Sequence, residues 1–217
     1  LSGNYKKYGD YTAGNDEIIS SHFEKYNYSM LVGFVPFRGH KVSLSFDKSF
    51  GRNIMFPALP MDERTDDTQL LSFDYSIDKI GNRIQDVTLK LYNSSVRHEM
   101  DNKERPFSDT VVAVSIIDAN NTGYRLSGLV KMAKGQVVIG TDHETIRKDG
   151  TRTKTKILEP TMPVFYEDLW NNALIRNYGV FAEYSGKFNR VNLVFAMRMD
   201  LNHGTSDDLI LKKKENI

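Results

Sequence analysis

The sequence predicts an all-β protein made of consecutive antiparallel strands. Three observations carry this: side-chain character alternates with period two, the links between alternating segments are short and long in turn, and no run approaches the ~18 apolar residues of a membrane helix. The clearest alternation runs from Arg190 to His203. Val191, Leu193, Phe195, Met197, Met199 and Leu201 fall on one face, and Asn192, Val194, Ala196, Arg198, Asp200 and Asn202 on the other. Successive strand residues point to opposite sides, so one face is apolar and the other polar or small.

The same pattern recurs along the chain. Tyr26, Tyr28, Met30, Val32 and Phe34 share a face. Val42, Leu44 and Phe46 oppose Ser43, Ser45 and Asp47. Leu71, Phe73, Tyr75 and Ile77 oppose Ser72, Asp74, Ser76 and Asp78. Val87, Leu89 and Leu91 oppose Asp86, Thr88 and Lys90, and Tyr124, Leu126, Val130 and Met132 form another face. The expectation is roughly nine strands, near 2–12, 18–35, 41–50, 67–78, 83–97, 116–132, 136–148, 172–185 and 190–203. Several reach the ~9–11 residues that cross a bilayer as a tilted strand.

Breakers between strands define the links. Pro36 to His40, Asp78 to Asn82, Ala133 to Gly135, and Gly186 to Asn189 are short. Gly51 to Asp66, His98 to Ser115, and Asp149 to Asn171 are expected to be long. Short periplasmic turns and longer extracellular loops are the pattern of an outer-membrane barrel. A soluble β-sandwich or lipocalin-like barrel also alternates. Against it stand the one-sided long links and the charges in mid-strand on the second face, Lys90, Arg125, Lys131, Arg198 and Asp200. The fold class expected is therefore an antiparallel transmembrane β-barrel segment.

Composition narrows the functions. The net charge of +1 provides no field to recruit nucleic acid, and the absence of cysteine excludes disulfides and thiolate metal sites within the chain. Aromatics at 11% suit strands and interfacial girdles. No nucleophile with a paired base, no His-Glu-x-x-His and no phosphate-binding glycine loop is present, so no enzyme is expected. The chain opens Leu1-Ser2-Gly3, without an initiator Met or a signal segment, which reads as a processed chain or a fragment.

Four segments carry a resemblance. They are Met-Phe-Pro-Ala-Leu-Pro-Met-Asp-Glu-Arg-Thr-Asp-Asp-Thr from Met55 to Thr68, Leu-Tyr-Asn-Ser-Ser-Val-Arg-His-Glu-Met-Asp-Asn from Leu91 to Asn102, Lys-Asp-Gly-Thr-Arg-Thr-Lys-Thr from Lys148 to Thr155, and Leu-Trp-Asn-Asn-Ala from Leu169 leading to Asn-Tyr-Gly-Val-Phe-Ala-Glu-Tyr from Asn177. In order and spacing they resemble the middle of the barrel of a TonB-dependent outer-membrane receptor, in its copper-receptor branch. The last segment is widespread among such receptors; the His98-x-Met100-Asp-Asn segment is more specific. The resemblance implies a barrel of about 22 strands, an N-terminal plug, and import driven by an energised inner-membrane partner. Residues 1–217 are then part of the barrel domain, with the plug, the energy-coupling box and the C-terminal strands absent. Lys212 to Ile217 is expected to open a surface loop.

The function this implies is an outer-membrane TonB-dependent transport receptor for copper ions. A receptor for a siderophore, haem or cobalamin is the alternative, and a soluble β-sandwich binding module a second. The expected setting is the bacterial outer membrane. The expected partners are outer-membrane lipid and lipopolysaccharide, the TonB complex acting through the missing N-terminal part, and a metal or metal-chelate cargo. No tightly bound cofactor is expected; copper is the transported ligand.

His98 and Met100 are the candidate metal ligands. Residues i and i+2 of a strand point the same way, and their parity with Lys90 and Tyr92 aims both away from the apolar face. Imidazole and thioether suit copper, Cu(I) above all. The competing reading is an interfacial His and a Met filling a loop contact. In copper receptors a plug Cys and Met complete such a pair, so two ligands at most are expected here. Asp62, Glu63, Asp66 and Asp67 read as a solvated acidic loop without EF-hand spacing. Arg147, Lys148, Arg152, Lys154 and Lys156 read as a solvated basic loop that meets lipopolysaccharide phosphates or anionic cargo at most. His143 shares parity with Val137 and Ile139 and is expected at the interface. His40 is expected in a short turn, and His22 and His203 near strand ends.

Overall fold

The computed structural model describes residues 1–214, with side chains through Leu211. The strands in chain order are β1 (Ser2–Tyr8), β2 (Tyr11–Thr12), β3 (Ile18–Ile19), β4 (Phe23–Phe34), β5 (His40–Ile54), β6 (Asp62–Ile80), β7 (Ile84–Asp101), β8 (Val111–Met132), β9 (Gly135–Lys156), β10 (Val164–Phe188), β11 (Val191–Thr205) and β12 (Leu211–Lys214). A short 3-10 turn, Pro106–Asp109, lies between β7 and β8. Among the described residues no α-helix occurs, and none is long and apolar enough to cross a membrane, which says nothing of strands.

Nine strands pair antiparallel with their chain neighbours in the order β1-β4-β5-β6-β7-β8-β9-β10-β11. The sheet is not closed, and β1 and β11 are its edges. β12 pairs with β10 beyond the end of β11, with the register displaced by one residue: Leu174 faces Thr205, and Val164 faces Lys214. The segment expected to open a loop at Lys212 thus first extends the β11 line; residues 215–217 lie outside the described residues.

The nine expected strands are present, but their ends differ. The long links of the sequence reading are mostly strand: β6 already begins at Asp62, β7 runs to Asp101, β9 to Lys156, and β10 begins at Val164. The remaining links at that end are residues 55–61, 102–110 and 157–163, against 35–39, 81–83, 133–134 and 189–190 at the opposite end. The asymmetry survives in reduced form. The reason is physical. Where both faces are polar, as in Asp62–Asp66 of β6 and Asp149–Lys156 of β9, no hydrophobic period marks the strand, although the backbone ladder continues. The first expected strand also divides: Tyr11–Thr12 and Ile18–Ile19 form their own hairpin. The Asp10 carboxylate closes it, accepting from the backbone N–H of Ser21 (2.8 Å) and His22 (3.0 Å).

Burial runs opposite to that of a water-soluble domain. Among the described residues the buried apolar side chains are Met55 and Ala173, whereas Asp62, Glu63, Ser72, Asp101, Asn102 and Ser115 are buried. The apolar face stays open in mid-sheet: Leu71, Leu91 and Leu126 are each more than 40% exposed. Among the described residues the one other sheet is the two-stranded β2–β3 hairpin, too small to cover that face, which removes the sandwich reading. Phe73 and Tyr75, which share that face, are half-buried.

On the polar face, glycines make room for large side chains. A Cβ at Gly140 would meet the Phe181 ring at 2.4 Å and the Leu126 carbonyl at 2.6 Å, and one at Gly179 would meet the Arg198 guanidinium at 2.3 Å. Phe181 lies under Arg125 (4.5 Å) and Arg198 (5.9 Å), and Arg198 grips Asp142 through two bonds of 2.8 Å. The mid-strand charges singled out in the sequence thus knit β8, β9, β10 and β11 together across one face.

Candidate metal-binding site at the loop ends of β6 and β7

His98 and Met100 both lie in β7, and the β7–β8 ladder runs without interruption past them, His98 facing Ile117 and Met100 facing Ser115. The two side chains therefore share a face. On the other side, His98 faces Asp66 of β6, and Met100 faces Glu63. A bulge at Arg64 separates these two pairs, so two steps on β7 match three on β6. Directly opposed residues of an antiparallel pair project to the same side. Glu63, Asp66, His98 and Met100 accordingly stand on one face.

Glu63 is 5% exposed and is ion-paired to Nδ1 of His98. One ligand atom from each of Glu63, Asp66 and His98 lies within 4.8 Å of the others. Asp66 accepts a hydrogen bond from Thr68 Oγ1 at 3.1 Å, which orients its carboxylate. Gly51 faces Asp66 across β5 and β6; a Cβ there would come within 3.1 Å of Asp66 Cβ and 2.8 Å of the Ile54 side chain. Glycine is what lets these two side chains close in. Glu63 lies well beyond Leu71, where the apolar alternation starts, and so outside the ~9–11 residues of a crossing strand. Burial pushes its carboxyl above the usual carboxylate range, and the neighbouring His98 pulls it back.

The acidic segment is thus not the solvated loop expected. Asp62 is fully buried, bonded by Arg105 Nε at 2.8 Å, and it accepts from the Phe56 N–H at 3.0 Å. Asp67 pairs with Arg52 at 2.5 Å. Asp101 holds Arg64 at 2.8 Å, and Asn102 bonds Val111 O and Ala113 N, both at 2.7 Å. These contacts tie residues 55–61 and 102–110 into one network behind the ligand cluster. Two carboxylates, Glu63 and Asp66, thus stand on the same face as the pair, both close to His98. Asp66 shares parity with Ser72 and Asp74, a signal legible in the sequence. Glu63 shares parity with Leu71, and only the bulge turns it to the polar face.

The basic segment is also strand, not loop: Arg147 to Lys156 belongs to β9. Arg152 Nε donates to Ser115 Oγ at 2.9 Å, Lys154 pairs with Glu167 at 2.7 Å, Lys156 pairs with Glu159 at 2.6 Å, and Lys148 lies over the Trp170 ring at 5.1 Å. His143 is stacked on Tyr178 with centroids 4.3 Å apart, and Tyr124 lies on its other side at 5.9 Å. His143 is thus flanked by aromatic rings from both neighbouring strands. His40 opens β5 rather than lying in a turn, and its Nδ1 meets the Tyr75 hydroxyl at 2.7 Å. His22 pairs with Asp10, and His203 faces Arg176 in the β10–β11 ladder.

No protein-family profile matches the chain, and no curated protein matches it in sequence. Solved structures do match. One is the copper transporter OprC, with a TM-score of 0.80 and 19% identity over 97% of this chain and 37% of that one. The chain therefore spans little more than a third of that transporter's length. At this identity the likeness shows the fold: the chain has the architecture of a segment of an antiparallel β-barrel, and that architecture is shared with a transporter.

Proposed function

We propose that the chain is part of the barrel of a TonB-dependent receptor in the bacterial outer membrane that imports copper. The observation that carries this reading is the common face of His98 and Met100 at the loop end of β7, in a sheet that superposes on a copper transporter. An exposed apolar face beside a polar face laced with charge suits a barrel with lipid outside and water inside. In this reading the apolar face meets lipid and lipopolysaccharide, a plug outside residues 1–217 supplies further soft ligands, and the TonB complex acts through that part. Copper is cargo, and no resident cofactor is required. The reading is non-enzymatic, in keeping with a structural neighbour that is a transporter.

The test is copper uptake by cells carrying the full-length protein, with copper on the purified receptor measured by elemental analysis. Replacing His98 and Met100 together by Ala should abolish both, with the barrel still assembled. Wild-type copper in that double variant would favour a siderophore, haem or cobalamin as cargo.

A further inference from the structure

We infer that Glu63, Asp66 and His98 form a binding site for a borderline divalent cation, Zn2+ or Cu2+, at the loop ends of β6 and β7. The inference deepens the transport reading by naming a second, oxygen-rich half of the same site, but it does not require import or an energising partner. Three donor groups of the right kind converge within 4.8 Å: one imidazole nitrogen and two carboxylates. Imidazole and carboxylate together suit Zn2+ and Cu2+, whereas a thioether suits Cu(I).

Two further observations separate this cluster from a chance group of acids. Glu63 is almost wholly buried and points at His98, so its charge is committed to this site and not to solvent. The backbone is also built around it. The bulge at Arg64 turns Glu63 onto the face of His98, and Gly51 lets Ile54 and Asp66 close in where a Cβ would collide with both. Met100 stands opposite Glu63, on the edge of the same cluster. The site thus has a hard side on β6 and a soft side on β7, with His98 common to both. A divalent ion takes the nitrogen and the two oxygens; a monovalent copper ion takes the nitrogen and the sulfur. Ligands of both kinds allow capture of copper in either oxidation state.

The experiment is titration calorimetry of the full-length protein in detergent with Zn2+ alone, and separately with Cu2+ alone. Glu63→Gln and Asp66→Asn keep shape and hydrogen bonding while removing charge, and each should weaken Zn2+ binding by about tenfold or more. Asp66 is half-buried, so Asp66→Asn decides the matter if Glu63→Gln does not fold. Unchanged Zn2+ affinity in Asp66→Asn, or no divalent binding by the wild-type protein, overturns the inference. Loss of divalent binding in the carboxylate variants upholds it, even if the His98 and Met100 variants retain copper uptake and the transport reading fails.

Discussion

The loop ends of β5 to β8 and the middle of the sheet use burial in opposite ways. At the loop ends, charged residues are sealed from solvent: Asp62 is 0% exposed and Asp101 1%. A few turns of the pleat away, Leu71 and Leu91 stand more than 40% exposed, and on β11 Phe195 reaches 65%. The exposure on β11 owes something to its position at the sheet edge, but that of Leu71 does not, because β6 is paired on both sides. In the barrel proposed above, the two regions answer to different solvents. Apolar side chains gain nothing by packing inward where hydrocarbon lies outside. Beyond the hydrocarbon, buried ion pairs and backbone caps must organise the loops, because no apolar core is at hand.

The comparison breaks first at Asp62. Replacing it by Ala leaves Arg105 without its partner in a buried setting, and about 3–5 kcal/mol of stability should be lost. Urea unfolding of the reconstituted receptor measures this, and protease cutting within 55–61 and 102–110 should rise with it. A loss below about 1 kcal/mol would show that the network is dispensable.

Next in size is Phe195→Arg. If the apolar face meets hydrocarbon near the midplane, the cost is about 2–4 kcal/mol, while Ala196→Arg on the opposite face of β11 is nearly neutral. Equal effects at the two positions in a bilayer folding assay would remove the distinction between the faces.

Gly140→Ala sharpens the comparison from the polar side. The added methyl collides with the Leu126 carbonyl as well as the Phe181 ring, so the neighbouring strand must move. A loss of about 1–3 kcal/mol is expected. Adding Phe181→Leu should return part of it; no recovery would mean that the backbone contact dominates.

The smallest effect belongs to the turn end. Lys41 and Asp78 form a 2.8 Å pair at the surface, the lysine side chain 63% and the aspartate 35% exposed. Lys41→Ala should leave the unfolding midpoint unchanged, because exposed pairs are offset by solvent and side-chain entropy. A clear shift would show that the turn end also depends on charge.

The number of strands and the face of each residue in the apolar band were legible in the sequence, because a sheet with one apolar and one polar face imposes strict alternation. Leu193, Phe195 and Met197 announce a strand without any knowledge of their neighbours. His98 and Met100 were legible as a pair for the same reason, since their common face follows from spacing two. The strand ends were not. Asp62–Asp66 and Asp149–Lys156 carry polar residues on both faces, so no period marks them, and only the hydrogen-bond ladder reveals that they are sheet. Glu63 was beyond reach for a further reason. Its parity assigns it to the apolar side, and a single extra residue at Arg64 reverses that assignment. A bulge is a property of two strands in register, not of one strand's composition. The alternation is local and is written in the sequence; the meeting of Glu63 with His98 depends on pairing between separate strands, which only the tertiary structure decides.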